Sequence, residues 1–317
     1  MLKKHLNPRY RAALFRRLEV ADNDQPQLDR MFQLLDDGRR AARRAHLDEL
    51  ADRFASGQTA LIDALRGTGH FLDWELAFIR VGLTAGDTRT SYHYLAAHYG
   101  RLADFLRQLR SNCWLPLAVL VMTALGLPAL GYAEKSLSLG AMLALMGGSL
   151  LGVAGLVLLG GWLAVLGCQQ RLHRRSIDSL YRLPGVGLLF AQQQSLHYFA
   201  ALELTLGAGL PLAQSLQLAT EVLPYSPRKS IFGQVHRMVA EGGRLSEALR
   251  QSGALNGVQI RGVAANSGLQ GAALAQHVLT ESTRQAVVEG LAHCARWLPQ
   301  VALMGVVFIL MANLLVM

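Results

Sequence analysis

The sequence predicts an all-α membrane protein, with two cytoplasmic helical-bundle repeats and three transmembrane helices. Three observations carry that prediction. Three long stretches hold no charged residue, the polar segments show helical periodicity and no strand pattern, and short motifs recur at a nearly constant separation.

The uncharged stretches are Trp114–Ala133, Leu139–Gly167 and Leu298–Met317 in a chain of 317 residues that is 51% hydrophobic. A helix needs about 20 apolar residues, each rising ~1.5 Å, to cross a bilayer. The first 31 residues are basic and polar, with no continuous apolar core of the kind a cleaved signal has. The stretch Leu183–Leu202 is also uncharged but carries Pro184, Gly185, Gly187, three consecutive glutamines and His197. Polar groups of that kind need partners that lipid does not offer. It therefore reads as a helix outside the membrane, ending at Gly207 and Gly209, with Pro211 opening the next helix.

Lys and Arg set the orientation. Eighteen precede the first stretch, 12 lie between the second and third, and only Lys135 lies between the first and second. Short Lys/Arg-rich segments stay in the cytoplasm. Both large polar regions, and the N-terminus, are thereby assigned to the cytoplasm, with the Glu134-Lys135 loop and the C-terminus outside. The domains expected are a basic amphipathic segment over 1–27 and a first bundle over 28–112. A first span over 113–133, a loop over 134–138 and a second span over 139–168 follow. A second bundle over 169–297 and a third span over 298–317 complete the chain.

The net charge of +9 belongs to flanks that meet anionic headgroups and does not mark a nucleic-acid-binding protein. Cys113, Cys168 and Cys294 lie at cytoplasmic span ends with no metal-ligand spacing, and read as free thiols. His93 and His98 fall about 140° apart on a helix, too far round to share a metal, and read as surface histidines. Asp36-Asp37 reads as a solvated helix end. No nucleotide-binding loop, nucleophile elbow or paired-histidine zinc motif occurs, so catalytic residues, metal and cofactor are all expected to be none.

The repeat is read from three matches. Ala64-Leu65-Arg66 recurs 184 residues on as Ala248-Leu249-Arg250, Ala85-Gly86 aligns 182 on with Ser267-Gly268, and Trp114-Leu115-Pro116 recurs 183 on as Trp297-Leu298-Pro299. Two copies in one orientation need an extra span to bring the chain back, which is the second stretch. Because 27 positions separate Gly38 from Leu65 and 40 separate Gly209 from Leu249, the first copy is expected to be abbreviated. In the second copy, helices are expected over 188–206, 212–222 and 229–241. Ser226 and Pro227 start the third of these, and Ser246 caps a short helix over 247–251. A long helix should run into each Trp-Leu-Pro, loosened at Pro116 and Pro299.

Those motifs carry a resemblance to the type II secretion F domain family. It rests on LPGVGLLF at 183–190, FAALELTLGAGLPL at 199–212, EGGRLSEAL at 241–249 and NSGLQGAAL at 266–274. Pro184, Gly209, Pro211, Leu212, Gly242, Leu245, Ala248, Leu249, Ser267 and Gly268 stand at the family's motif positions. The Gly-Glu that usually precedes Ser-Gly in the family is replaced by Ala264-Ala265, and in the first copy by Gly82-Leu83.

The resemblance implies a non-catalytic platform protein of a bacterial inner membrane that serves assembly of a type IV pilus or type II secretion pseudopilus. The shorter type IVb-like members are the nearest in outline. It further implies a cytoplasmic hexameric assembly ATPase, pilin or pseudopilin subunits, other inner-membrane assembly proteins and a homo-oligomer as partners. Arg237, Arg244 and Arg250 offer a basic surface for such a partner. Gly148 and Gly152 in the second span form a GxxxG contact for helix packing, within the chain or between subunits, and Asn313 in the third span is a hydrogen-bonding group. An oligomeric transporter or channel is the alternative, but it would need polar groups at the membrane midplane, and no charge lies in any stretch.

Overall fold

A computed structural model describes residues 8–21, 61–133, 186–224, 226–255 and 277–293, together with position 49 and scattered positions within 138–148 and 296–304. Within the helix over 88–133, the side chains at 113, 115–117, 120, 127 and 131 are outside that set. Every regular element among the described residues is a helix. In chain order these are α1 (Pro8–Ala21), α2 (Leu61–Gly67), α3 (Asp73–Ala85), α4 (Thr88–Ala133), α5 (Val186–Gly207), α6 (Leu212–Val222), α7 (Pro227–Ala240) and α8 (Leu245–Gln251). Residues 277–293 form a further helix.

The chain divides into two compact units, Met1–Ala103 with Arg174–Val287, and Asp104–His173 with Val288–Met317. The first unit takes helices from both copies of the repeat. α3 packs against α5 and α6, and α5, α6 and α7 pack on one another. The bundles expected separately over 28–112 and 169–297 thus share one core. Phe15, Leu65, Ile79, Leu95, Phe199, Leu216 and Phe232 are each fully buried in it. Removing a side chain of that size from water stabilises by about 1.5–3 kcal/mol.

α1 changes the reading of the N-terminus. Its Leu14 and Leu18 do lie on one apolar face as expected, but Phe15 is 0% and Leu18 1% exposed, and Arg11 is also buried. Of the segment expected over 1–27, the described helix α1 packs into the bundle core, and residues 1–7 and 22–27 lie outside the described residues. α1 is the first helix of the first copy, standing where α5 stands in the second. Phe15, Leu18 and Glu19 recur 184 residues on as Phe199, Leu202 and Glu203, with both Phe-Leu pairs buried. The spacing then holds: α2 and α8 both have seven residues and start 184 apart. Glu19 meets His93 Nδ1 at 2.9 Å, and Glu203 meets His277 Nδ1 at 2.8 Å, each pair separated by 74 residues. The first copy is not abbreviated over this range. Gly38 and Gly209 are not equivalent positions, and matching them produced the apparent deletion.

Local chemistry explains the ends. Ser226 caps α7 as expected, its Oγ accepting the Lys229 N–H at 3.3 Å, with Pro227 in the first turn. α7 turns Phe232 and Val235 into the core, while Ile231, Met238 and Val239 are only half-buried. α8 starts at Leu245 with Arg244 at its N-cap, so Ser246 is not the cap. α4 runs without a break through Pro116.

Among the described residues no helix is long and apolar enough to cross a membrane. The part of α4 in the second unit exposes Trp114 (73%), Met122 (75%) and Leu130 (60%). The second and third expected spans lie almost wholly outside the described residues.

Candidate functional site

The first unit holds two groups of polar side chains where a helical bundle would ordinarily hold aliphatic ones. The first group ties α1, α3 and α4 together. Glu75 is fully buried near the start of α3, where one carboxylate oxygen accepts the Leu72 N–H at 2.6 Å and closes the helix end. Its other oxygen accepts both Arg11 Nη1 and the Tyr99 hydroxyl. Arg11 also donates to the His70 carbonyl at 2.9 Å and lies 5.4 Å over the Tyr99 ring. Burial works against the Arg11 charge, but Glu75 outweighs it and raises the guanidinium above its ordinary value. Burial, then the Glu75 charge, pushes the Tyr99 phenol well up, so it stays a donor.

The second group joins the two copies. His197 of α5 stacks against Trp74 of α3 at 4.5 Å and lies 4.9 Å from the His98 ring of α4. The Tyr94 hydroxyl is 2.9 Å from His197 Nδ1, and Tyr94 itself stacks on Phe78 at 4.5 Å. Burial holds His197 down to about 3, and the Arg101 charge adds to the effect. Burial, followed by His197 and Arg101, holds His98 well below the ordinary histidine range. Both rings are neutral at pH 7. The Nε1 of Trp74, Nε2 of His197 and Nη2 of Arg101 are buried without a hydrogen-bond partner among the described residues. At the edge of the contact between copies, Arg80 of α3 stands 3.9 Å from Glu221 of α6.

His98 is thus a core residue, whereas His93 on the same helix is exposed. Glu75 did not stand out in the sequence, and His197 was noted only as a polar group unsuited to lipid. The one local signal was Glu75 three residues after Leu72, at the position where an acid reaches back to a helix start. No set of three or more metal-ligating side chains occurs among the described residues.

The family-motif positions fall at helix ends and core faces. Gly209 (φ 79°) and Gly242 (φ 94°) adopt the left-handed backbone that closes α5 and α7. Pro211 sits one residue before α6, which Leu212 opens half-buried. Leu245 opens α8, whose Ala248 and Leu249 are buried on its inner face. Arg237, Arg244 and Arg250 are all exposed, but Arg250 is paired with Glu247 at 2.8 Å. Arg237 and Arg244 have no such partner among the described residues. Gly148 has no described atom within 4 Å of a Cβ placed on it. Pro184, Ser267, Gly268, Gly152 and Asn313 lie outside the described residues. Compared with known proteins, the chain matches no family model and no curated protein.

Proposed function

We propose that the protein is a non-catalytic platform in a bacterial inner membrane, coupling a cytoplasmic assembly ATPase to extrusion of pilin-like subunits in a type IV pilus or type II secretion system. The observation that carries this reading is the duplication. Two bundle copies of equal spacing each lead into a Trp-Leu-Pro and an uncharged stretch, with a third such stretch between them. That organisation suits a scaffold whose work is done at interfaces. The exposed apolar residues of α4 from Trp114 onward suit a helix that continues into lipid. Arg237 and Arg244, exposed and without an ion pair among the described residues, suit an acidic surface on a partner. Membrane topology, the ATPase, the fibre subunits and self-association all belong to this proposal.

Photo-crosslinking in the native host from positions 237 and 303, read by mass spectrometry, tests it. A hexameric ATPase captured at Arg237 and a pilin-like protein at Leu303 are the expected products. Crosslinks to other copies of this chain alone would overturn the platform reading in favour of an oligomeric pore.

A further inference from the structure

α1 and α5 are the same helix of the repeat in two different settings. Ala13, Arg16, Arg17 and Val20 of α1 stand 184 residues before His197, Ala200, Ala201 and Leu204 of α5. On a helix these four positions share one face, within an arc of about 100°. In α5 that face is closed. His197 and Ala201 are 0% exposed, Ala200 and Leu204 9%, and α3 packs on the helix with Trp74 stacked against His197. In α1 all four positions are exposed, Val20 by 67%.

The residues on the face limit what can cover it. Ala200 and Ala201 are small and uncharged, so α5 can bury that side against neighbouring helices. Arg16 and Arg17 put two guanidinium groups at the same two positions, and a tightly packed helix would strip them of water at a high cost. Neither has an ion pair or hydrogen bond among the described residues. The acid beside them, Glu19, is engaged by His93 Nδ1 at 2.9 Å. Arg9 and Tyr10 extend the exposed surface towards the start of α1, and none of its exposed positions is Asp or Glu.

A partner for this face must be negative and must leave the guanidinium groups hydrated. We propose that the outer face of α1 lies on anionic lipid headgroups. Headgroup phosphates accept hydrogen bonds from arginine at a wet surface, where no dry contact is needed. Arginines sharing an exposed helix face with Tyr10 and Val20 suit the boundary between water and lipid. Phe15 and Leu18 stay in the bundle core, so the contact is made by charge and the helix does not insert. The inference rests on the membrane part of the platform reading, because the uncharged stretches are what would keep α1 within reach of a bilayer.

Arginine modification of the full chain in nanodiscs tests it, comparing neutral phosphatidylcholine with a mixture holding about one-third phosphatidylglycerol. Phenylglyoxal is uncharged and modifies accessible arginines, and peptide mass spectrometry reads each position. Arg16 and Arg17 should react at least about fivefold more slowly in the anionic discs, the weight of one basic group at such a surface. High salt should restore their rate, since the contact is screened. Arg250, exposed on α8, is the reference and should react alike in both discs. Soluble polyglutamate added to the neutral discs forms a separate arm. Protection by polyglutamate but not by the anionic lipid would overturn the proposal in favour of an acidic protein. Equal rates at Arg16 and Arg17 in both discs, or equal slowing at Arg250, would also overturn it. A chain that enters neither disc would remove the membrane reading itself, which is a separate failure.

Discussion

The Tyr94 hydroxyl lies 2.9 Å from Nδ1 of His197, a contact that spans 103 residues and fastens the first copy of the repeat to the second. Its setting makes it sensitive to acid. His197 and His98 are neutral in the fold because burial and the Arg101 charge oppose protonation. In the unfolded chain each titrates near the ordinary histidine value of about 6.5. Below that pH the unfolded state binds more protons, so the stability these rings contribute is intact above about pH 6.5 and is lost as pH falls toward their folded values. Each ring should add a slope of up to about 1.4 kcal/mol per pH unit over that window. Urea titrations of wild type and His197→Phe between pH 7 and 4 check this. The variant should show the shallower loss, and an unchanged slope would mean that His197 is already protonated in the fold.

The Arg11–Glu75–Tyr99 group should behave as one unit. Changing Glu75 to Gln leaves a buried guanidinium without its anion, and changing Arg11 to Met leaves a buried carboxylate facing a phenol. Either change should cost about 3–5 kcal/mol in chemical denaturation. The double variant should cost clearly less than the sum, because no charge is stranded. Additive losses would show that Arg11 and Glu75 act independently.

Gly82 allows α3 and α4 to touch. A Cβ at that position would stand 2.2 Å from Ser91 Oγ and 2.8 Å from Ser91 Cβ. Gly82→Ala should destabilise by about 1–3 kcal/mol through overpacking, and adding Ser91→Gly should recover most of it. Gly82 also precedes the position where the resembled family carries an acid, so close helix contact accounts for the glycine whether or not the acid is present.

Gly209 and Gly207 make a matched pair. Gly209 has φ 79°, which an alanine adopts only with strain, whereas Gly207 is still helical with nothing within 4 Å of an added Cβ. Alanine at 209 should cost about 1–2 kcal/mol, and alanine at 207 should be neutral or stabilise by up to about 1 kcal/mol. Thermal melts of the two variants should therefore shift in opposite directions, or at least differ clearly.

The unit boundaries at Ala103 and Val287 fall on α4 and on the helix over 277–293, each upstream of a Trp-Leu-Pro motif. If the platform works by motion passed along those helices, two glycines inserted near Ala103 and Ala286 should abolish fibre assembly while leaving the far-UV helical signal unchanged. Normal fibres from such a variant would remove the mechanical part of the proposal.

Much of the second copy was legible because its signals are local. Leu212–Val222 was read to the residue, and Ser226 with Pro227 marked the start of α7 through capping chemistry that needs no tertiary information. The first copy was harder. Its Phe15, Leu18 and Glu19 enclose Arg16 and Arg17 where the second copy has Ala200 and Ala201, so charge masked the register. The central groups were not legible at all. Glu75, His98 and His197 are polar residues in a core: Glu75 depends on Arg11 and Tyr99, His197 on Tyr94, and His98 packs on Trp74 and His197, all arriving from other helices.

The sharing of one core by both copies has a consequence for synthesis. Tyr94 leaves the ribosome 103 residues ahead of His197, an interval of ~5–20 s at ordinary elongation rates. During that interval the nascent first copy has Trp74 and Phe78 in place but no α5 to cover them, while the chain emerging behind it is the most apolar in the protein. Half a bundle must wait beside the ribosome for its other half. Substitutions that speed aggregation of the exposed half would then lower yield without changing the stability of the finished fold.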